Sequence, residues 1–290
     1  MPRWCGSVRM PGMTWHSSGD VDAFLTHAGD FLLQAPARNI IMLSVARRLQ
    51  LQGPQSFSSQ PSRFGWWTAD DKTVTGAYLQ TPPRPLLLSP SMPVPAVTAL
   101  ADQLADDALT GVGSTATTAT GFADRYLARV GRTSTIAMRL RQYELGELVP
   151  PTVAGRARIA NAADLPLLRA WHGAFYDEAT EDRGNIDSAI AGKLAYGGLT
   201  LWEVDDVPVS MAGGGRSHAG VVSIGPVYTP PAHRRCGYGA AVTAAASKAA
   251  LVAGATTVVL YTDLANPTSN SIYQKIGYRP LEDRVSLKFH

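Results

Sequence analysis

The stretch of sequence that decides the fold joins a predicted strand to a predicted helix and reads Arg234-Arg235-Cys236-Gly237-Tyr238-Gly239-Ala240. We call these seven residues the cradle. Its glycines let the backbone approach a ligand, and N–H groups at a helix start carry partial positive charge. Its two arginines add donors that suit phosphate oxygens. The cradle therefore predicts a site for a small anion, and a pyrophosphate is its natural occupant.

The same seven residues also fit a plain surface loop with two solvated arginines, because a pattern this short recurs by chance. They do not form the dinucleotide-binding fingerprint. That fingerprint needs a third glycine and an acidic residue after the next strand, and the sequence has neither at the expected distance. The context of the cradle must therefore decide between a site and a loop.

The segments around the cradle alternate between strand and helix. The strand predicted at 221–229 is interrupted by Gly225-Pro226, and the helix predicted at 237–252 is rich in small residues. The β-branched run at 256–262 is typical of a central strand. A second motif follows it, Asn266-Pro267-Thr268-Ser269-Asn270-Ser271-Ile272-Tyr273-Gln274-Lys275-Ile276-Gly277-Tyr278.

These two motifs resemble those of the acetyl-CoA-dependent N-acyltransferases related to histone acetyltransferase Gcn5, the GNAT superfamily. Arg234, Gly237 and Gly239 match the superfamily's pyrophosphate motif, Gln/Arg-x-x-Gly-x-Gly/Ala. Asn266 and Tyr273 keep the intervals of its second motif. The resemblance covers about residues 156–290, with both motifs in the right order and on the right elements.

The resemblance implies an α/β fold in which a mixed, mostly antiparallel sheet with a splayed fourth strand is flanked by helices. It also implies acetyl-CoA as the acyl donor. No metal is expected, because His172 and His218 have no partner with metal-ligand spacing. The backbone of the splayed strand would pair with the pantetheine arm, and the cradle amides would hold the pyrophosphate. The residues expected to contact acetyl-CoA are Val227, Tyr228, Thr229, Arg234, Arg235, Cys236, Gly237, Tyr238, Gly239, Ala240, Asn266 and Asn270.

By the same resemblance, Tyr273 would donate a proton to the departing coenzyme A thiolate. A structural tyrosine packed in the core is the alternative. Relatives often use a glutamate on the fourth strand as the base, but Val221-Val222-Ser223-Ile224 contains none. The base is therefore not identified; the candidates are Glu203 and three acids after the first helix of this half, Asp177, Glu178 and Glu181.

The length of 290 residues favours two domains. Two prolines and a glycine within Val149–Gly155 predict a boundary, with residues 19–149 and 156–290 as domains and residues 1–18 as a flexible extension. The first half repeats the plan: helical patterns over 20–51, strands at 64–71 and 74–79, a helix at 95–105, a strand at 109–114, a helix at 122–130 and a strand at 135–143. It lacks an Arg-x-x-Gly-x-Gly motif. We therefore expect a tandem GNAT protein whose N-terminal half is degenerate.

The composition of the chain excludes several classes of function. Lys plus Arg is 26 and Asp plus Glu is 23, and this net charge of +3 argues against a nucleic-acid partner. Two cysteines exclude a disulfide scaffold. No segment predicts a secretory signal or a membrane span, so we expect a cytoplasmic protein. The oligomeric state is left open.

The expected function is an N-acetyltransferase in which an amine attacks the thioester directly in a ternary complex. The acceptor itself is not predicted; the acidic segment Asp177–Asp182 is expected to border its site. A non-catalytic acyl-CoA-binding or regulatory module is the alternative, because it would keep the cradle without needing Tyr273. A nucleotide-binding enzyme of the doubly wound type is a third possibility, which requires a parallel sheet.

Overall fold

The computed structural model describes residues 12–179 and 185–290. These residues form two compact units. The first contains the described residues up to Arg139 together with Asp283–His290, and the second contains Leu140–Glu282. This division differs from the boundary expected at Val149–Gly155.

The first part of the chain forms ten elements: β1 (Thr14–Ser18), α1 (Val21–Leu33), α2 (Ile40–Gln52), β2 (Arg63–Thr68), β3 (Val74–Gln80), β4 (Leu86–Leu88), α3 (Val94–Gln103), β5 (Gly111–Thr115), α4 (Ala116–Val130) and β6 (Ser134–Leu145). Ten more follow: β7 (Arg156–Ile159), α5 (Leu165–Ala179), α6 (Ile186–Leu194), β8 (Leu199–Val204), β9 (Val207–Gly214), β10 (Val221–Tyr228), α7 (Tyr238–Val252), β11 (Thr257–Asp263), α8 (Pro267–Lys275) and β12 (Tyr278–Phe289). Strands and helices alternate in the same order in both halves, as the loose repeat in the sequence predicted.

In the first unit, the sheet order is β1-β2-β3-β4-β5, and the C-terminal part of β12 pairs with β5. The helices α1 and α2 cover one face of the sheet with a core that includes Phe24, Phe64 and Trp66. The helices α3 and α4 cover the other face with a core that includes Leu100 and Phe122. This arrangement follows the alternation of side chains along each strand.

The expectation of a flexible extension over residues 1–18 is wrong for residues 14–18, because these residues form β1 and pair with β2. Residues 1–11 lie outside the described part of the chain. Trp15 explains the pairing, since its side chain is buried and its Nε1 donates to the carbonyl of Ala96 at 2.8 Å. The buried indole of Trp15, with its N–H hydrogen-bonded, holds β1 in place. The composition of residues 14–18 alone does not predict this strand.

In the second unit, the sheet order is β6-β11-β10-β9-β8-β7, with residues 140–144 of β6 pairing antiparallel with β11. The pair β10–β11 is parallel, and the pairs β9–β10, β8–β9 and β7–β8 are antiparallel. The sheet is therefore mixed and mostly antiparallel, as predicted. This topology excludes the doubly wound alternative, which requires a parallel sheet.

Two cores lie on opposite faces of the second sheet. Trp171 of α5 and Ile190 of α6 pack on Leu201 and Met211 on one face. The small-residue helix α7 and the helix α8 pack on Val222, Ile224, Val258 and Leu260 on the other. The candidate site lies where β10 and β11 separate between these layers.

Candidate functional site

The strands β10 and β11 separate part-way along their length. They pair from Val221 with Thr257 to Ile224 with Leu260, and no further. Beyond that point β10 keeps only its other neighbour, β9, through Val227 and Tyr228. The register shifts between Ile224 and Val227, where Pro226 has no N–H to donate to a ladder. The β11-facing backbone edge of residues 225–228 therefore has no strand partner within the described residues, and such groups need partners.

The cradle follows this split strand and ends at the start of α7. Arg235 and Gly237 both adopt positive φ, at 64° and 82°. Gly237 is the N-cap of α7 and supplies no side-chain cap, whereas Asn185 and Asn266 cap α6 and α8. The first helical hydrogen bond runs from the Ala241 N–H to the Gly237 carbonyl at 3.0 Å. The N–H groups of the first turn before Ala241 therefore have no partner within the helix, as an anion site requires.

Thr229 connects the split strand to the cradle. Its carbonyl accepts a hydrogen bond from Nε of Arg234 at 2.9 Å, and its hydroxyl lies at 2.8 Å from the hydroxyl of Ser210. A Cβ placed on Gly239 would lie 3.3 Å from Oγ1 of Thr229. The structure thus brings together Thr229, Arg234 and Gly239, three residues that the sequence placed at one site.

The guanidinium of Arg234 is already engaged. Its Nη2 donates to both carboxylate oxygens of Glu178 at 2.8 and 2.7 Å. Tyr228 also donates to Glu178, at 3.3 Å, and packs its buried ring against Trp171. The side chain of Tyr228 is therefore part of the core, and only its backbone can face a ligand in the split.

The other cradle side chains are exposed or partly exposed. Arg235 and Cys236 are exposed, and the Cys236 thiol is free. Tyr238 and Ala240 are half-buried in the first turn of α7. Arg235 is thus the cradle arginine that forms no ion pair within the described residues.

Tyr273 lies in the core beside the split. It belongs to the same apolar cluster as Ile224 and Leu260, the last pair before the strands part. Its ring stands edge-on to Tyr143 and Tyr278, with centroids at 6.4 and 6.2 Å. Burial raises the pKa of the Tyr273 phenol to about 12. The phenol therefore stays protonated at every pH at which a protein of this kind is assayed.

Asn266 and Asn270 hold the start of α8. Oδ1 of Asn266 accepts from the Ser269 N–H at 3.0 Å, which is an N-cap. Nδ2 of Asn270 donates to the carbonyls of Asp263 and Asn266, and its Oδ1 accepts from the Tyr143 hydroxyl at 2.8 Å. In this structure both asparagines bond to the protein itself. Tyr143, which the sequence did not indicate, is the residue that ties β6 to this network.

The candidate bases are mostly held in ion pairs. Glu203 is buried, with Nε of Arg158 at 2.5 Å and Nε of Arg156 at 3.7 Å. Glu178 is bound to Arg234, as described above. Asp177 lies near the end of α5, and Glu181 lies outside the described residues. The structure therefore offers no unpaired carboxylate at Glu203 or Glu178.

Known proteins resemble this chain in sequence and in fold. The family model described as FR47-like protein matches residues 206–286, which span β10, the cradle and Tyr273. A GCN5-related N-acetyltransferase from Kribbella flavida is similar in structure, with a TM-score of 0.53, 22% identity, and 74% of this chain and 86% of that chain covered. The chain has the GNAT fold. The resemblance seen in the sequence is thereby confirmed.

Two further GNAT structures match almost the whole chain. The GCN5-related N-acetyltransferase from Sphaerobacter thermophilus has a TM-score of 0.59 and 15% identity, with 97% of this chain and 96% of that chain covered. A tandem GNAT protein from the clavulanic acid biosynthesis pathway has a TM-score of 0.54 and 11% identity, with 96% and 98% covered. No curated protein matches the sequence significantly.

The described residues lack two kinds of feature. They contain no group of three or more His, Cys, Asp or Glu side chains placed to hold a metal ion. None of the helices in the described ranges is both long and apolar enough to cross a bilayer.

Proposed function

We propose that the second unit binds acetyl-CoA in the split between β10 and β11 and transfers the acetyl group to an amine. The observation that carries this proposal is the pairing of β10, which loses β11 after Ile224 just before an uncapped helix start at Gly237. An open strand edge fits the amides of a pantetheine arm, as in strand addition. Free N–H groups at a helix start fit a pyrophosphate.

In this proposal the cradle binds and orients the nucleotide end of the donor. The first-turn N–H groups of α7 would donate to the pyrophosphate, and Arg235 would supply a positive charge. Arg234 bonds to the Thr229 carbonyl, and Glu178 competes with the pyrophosphate for its guanidinium. Acetyl-CoA, when bound, supplies the thioester that the amine attacks, and N–H groups on the open edge of β10 can polarise its carbonyl.

We assign the proton-donating role to Tyr273. A phenol with a pKa of about 12 is a weaker acid than a thiol near 8.5, so full proton transfer to a thiolate would cost about 5 kcal/mol. Tyr273 therefore contributes first by a hydrogen bond that its O–H is always able to donate. Full transfer requires a neighbourhood that lowers this cost in the ternary complex.

The cofactor part of the proposal is tested by thermal shift with acetyl-CoA. We expect acetyl-CoA to raise the melting temperature of the wild-type protein and Arg235→Glu to abolish the rise. Arg47→Glu is the matched control, because Arg47 is an exposed arginine on α2 in the first unit. A rise that survives in Arg235→Glu would contradict the assignment of the cradle.

The catalytic part is tested by release of free thiol from acetyl-CoA with a panel of amines. Tyr273→Phe should bind acetyl-CoA normally and lose roughly 100-fold or more in kcat, the usual worth of a general acid. Tyr278→Phe removes the same group from the neighbouring ring, where the phenol bonds to Ser247 at 2.7 Å, and should keep its turnover.

Two outcomes would contradict the catalytic part of the proposal, one for the role of Tyr273 and one for the acetyltransferase activity. Equal turnover of Tyr273→Phe and wild type would leave Tyr273 as a core residue. Binding of acetyl-CoA without acetylation of any amine, alcohol or protein lysine would favour the non-catalytic module.

A further inference from the structure

Three tyrosines of the second unit meet in one cluster, and their hydroxyls differ in what holds them. The ring of Tyr273 stands edge-on to those of Tyr143 and Tyr278. The hydroxyl of Tyr278 bonds to Ser247, and the hydroxyl of Tyr143 donates to Oδ1 of Asn270 at 2.8 Å. Within the described residues, the Tyr273 hydroxyl makes no hydrogen bond. The direction of the Tyr273 phenol is therefore set by the packing of its ring and by the position of α8.

Tyr143 lies level with the point where the strands separate. It pairs with Leu260 across β6 and β11, and Leu260 pairs with Ile224 across β11 and β10. Directly paired residues of neighbouring strands point their side chains to the same face of a sheet. All three side chains pack in the same apolar cluster as Tyr273, and Tyr143 is fully buried there. Because β10 leaves β11 after Ile224, Tyr143 stands in the row of the sheet at which the split begins.

The hydroxyl of Tyr143 holds the first turns of α8. It donates to Oδ1 of Asn270, and it accepts from Nε2 of Gln274 at 3.2 Å. Nδ2 of Asn270 in turn donates to the carbonyls at the end of β11 and at the N-cap of α8, at 2.9 and 2.7 Å. Asn270 and Gln274 flank Tyr273 along the helix. One buried hydroxyl thus fixes the turns of α8 that carry the proposed proton donor, and its loss leaves buried groups without a partner.

The chain that follows β6 holds the other end of α8. The N–H of Gly146 donates to the carbonyl of Gly277 at 3.0 Å, and the N–H of Val149 donates to the carbonyl of Ile276 at 3.1 Å. Gly277 has φ of 103°, and a Cβ there would overlap the carbonyl oxygen of Glu147, so a glycine is required for this close approach. The helix is therefore fastened to β6 and its extension at both ends, with the proposed proton donor between the two anchors.

We propose that Tyr143 is a positioning residue for acetyl transfer: by holding Asn270 and Gln274, its hydroxyl sets where the Tyr273 phenol points. The proposal rests on the proposed function, because it takes Tyr273 as the proton donor. Tyr143 does not donate to the reaction itself, since its own proton is used in the bond to Asn270. A strand that the sequence assigned to the first half thereby serves the site of the second unit.

Tyr143→Phe tests the proposal, because it removes the hydroxyl and keeps the ring. In the thiol-release assay, with the best acceptor of the amine panel, we expect kcat to fall about ten- to hundredfold, the usual cost of a misplaced reacting group. KM for acetyl-CoA should stay within about twofold of the wild-type value, because the cradle is unchanged. Tyr278→Phe is the matched control. It removes the same atom from a buried tyrosine of the same cluster, but its hydroxyl bonds to Ser247 of α7 and not to α8, so kcat should be kept.

A double-mutant cycle separates positioning from a general effect on the core. In the Tyr273→Phe background the group that Tyr143 positions is absent, so adding Tyr143→Phe should leave kcat unchanged. A merely structural role would lower kcat by the same factor in both backgrounds. Urea denaturation accompanies the kinetics. Tyr143→Phe and Tyr278→Phe each lose one buried hydroxyl and should lose stability to a similar extent, although only Tyr143→Phe loses turnover.

Three results would overturn the inference while Tyr273→Phe remains impaired: wild-type kcat in Tyr143→Phe, an equal loss of kcat in both backgrounds of the cycle, or an equal loss of kcat in Tyr278→Phe. Wild-type turnover of Tyr273→Phe is a different failure. It would contradict the proposed role of Tyr273 as proton donor, and the positioning role of Tyr143 would fall with it.

Discussion

Substitution of Gly237 by alanine is the sharpest test of the cradle. Gly237 has φ of 82°, and an alanine there costs about 1–2 kcal/mol of folding free energy through backbone strain. Its Cβ would also lie 3.0 Å from Cγ2 of Val153, so this neighbour must shift slightly. Gly254 offers a matched control. It has φ of 93°, open space around a Cβ, and a position just beyond the far end of α7, a helix about 22 Å long.

The two variants should therefore differ in binding more than in stability. Relief of the strain at Gly237 rotates the peptide plane that leads into α7 and misdirects the first N–H groups of the helix. A hydrogen bond to a charged group is worth about 1.5–3 kcal/mol, so the loss of one such bond weakens acetyl-CoA binding roughly ten- to hundredfold. Gly254→Ala leaves those N–H groups in place and should bind as the wild type does.

Urea denaturation measures the stability of both variants, and titration calorimetry measures the dissociation constant for acetyl-CoA. We expect a similar loss of stability in both and a loss of affinity only in Gly237→Ala. If Gly237→Ala binds acetyl-CoA with wild-type affinity, the cradle does not hold the donor and the reasoning fails. If Gly254→Ala loses affinity as well, the effect is a general response to strain in α7.

Two further substitutions test the charges of the second unit. Glu178→Gln frees Arg234 from an exposed ion pair, so the free energy of unfolding should change by less than about 1 kcal/mol. Calorimetry should show that the variant binds acetyl-CoA about two- to fivefold more tightly than the wild type. Weaker binding would contradict this prediction. Asp164→Asn tests how stability depends on pH. A hydrogen bond from Arg158 lowers the pKa of Asp164 in the folded state. The ionised carboxylate therefore stabilises the fold above its unfolded-state pKa near 4, and this stabilisation is lost as the pH falls through the lower folded-state pKa. Denaturation midpoints should show a deficit for Asp164→Asn at pH 7 that shrinks below about pH 4; a deficit constant with pH would oppose it.

The local features of the fold could be predicted because they depend on residues close in sequence. The glycines of the cradle and the interruption at Gly225-Pro226 are local signals, and the structure places the turn and the split there. The short strand β4 was missed, because Leu86–Leu88 lies in a proline-rich segment that obscures its pattern. Sequence patterns identify strands well when the strand is long enough to show its period.

The partners of strands and charges could not be predicted, because they are far apart in sequence. Residues 140–144 pair with β11, and residues 284–288 pair with β5, so both pairings join residues from opposite sides of the boundary expected at Val149–Gly155. Glu178 meets Arg234 across 56 residues. His172 carried a usable signal, since it follows Leu168 by one helical turn on the face that Trp171 also buries. A histidine at that spacing should be taken as buried and its hydrogen-bond partners sought.

The two halves differ at the positions to which we assign donor binding and proton donation. The helix α3 follows β4 as α7 follows β10, but its N-cap is Pro93 and its second residue is Pro95. A proline has no N–H, so the first turn of α3 loses a donor at the position where α7 has Gly239. Tyr273 lies seven positions after Asn266, the N-cap of α8. Phe122 lies seven positions after Thr115, the N-cap of α4. The first half keeps the apolar ring that packs the core and lacks the hydroxyl that we propose as the proton donor, which is the difference we expect of a degenerate half.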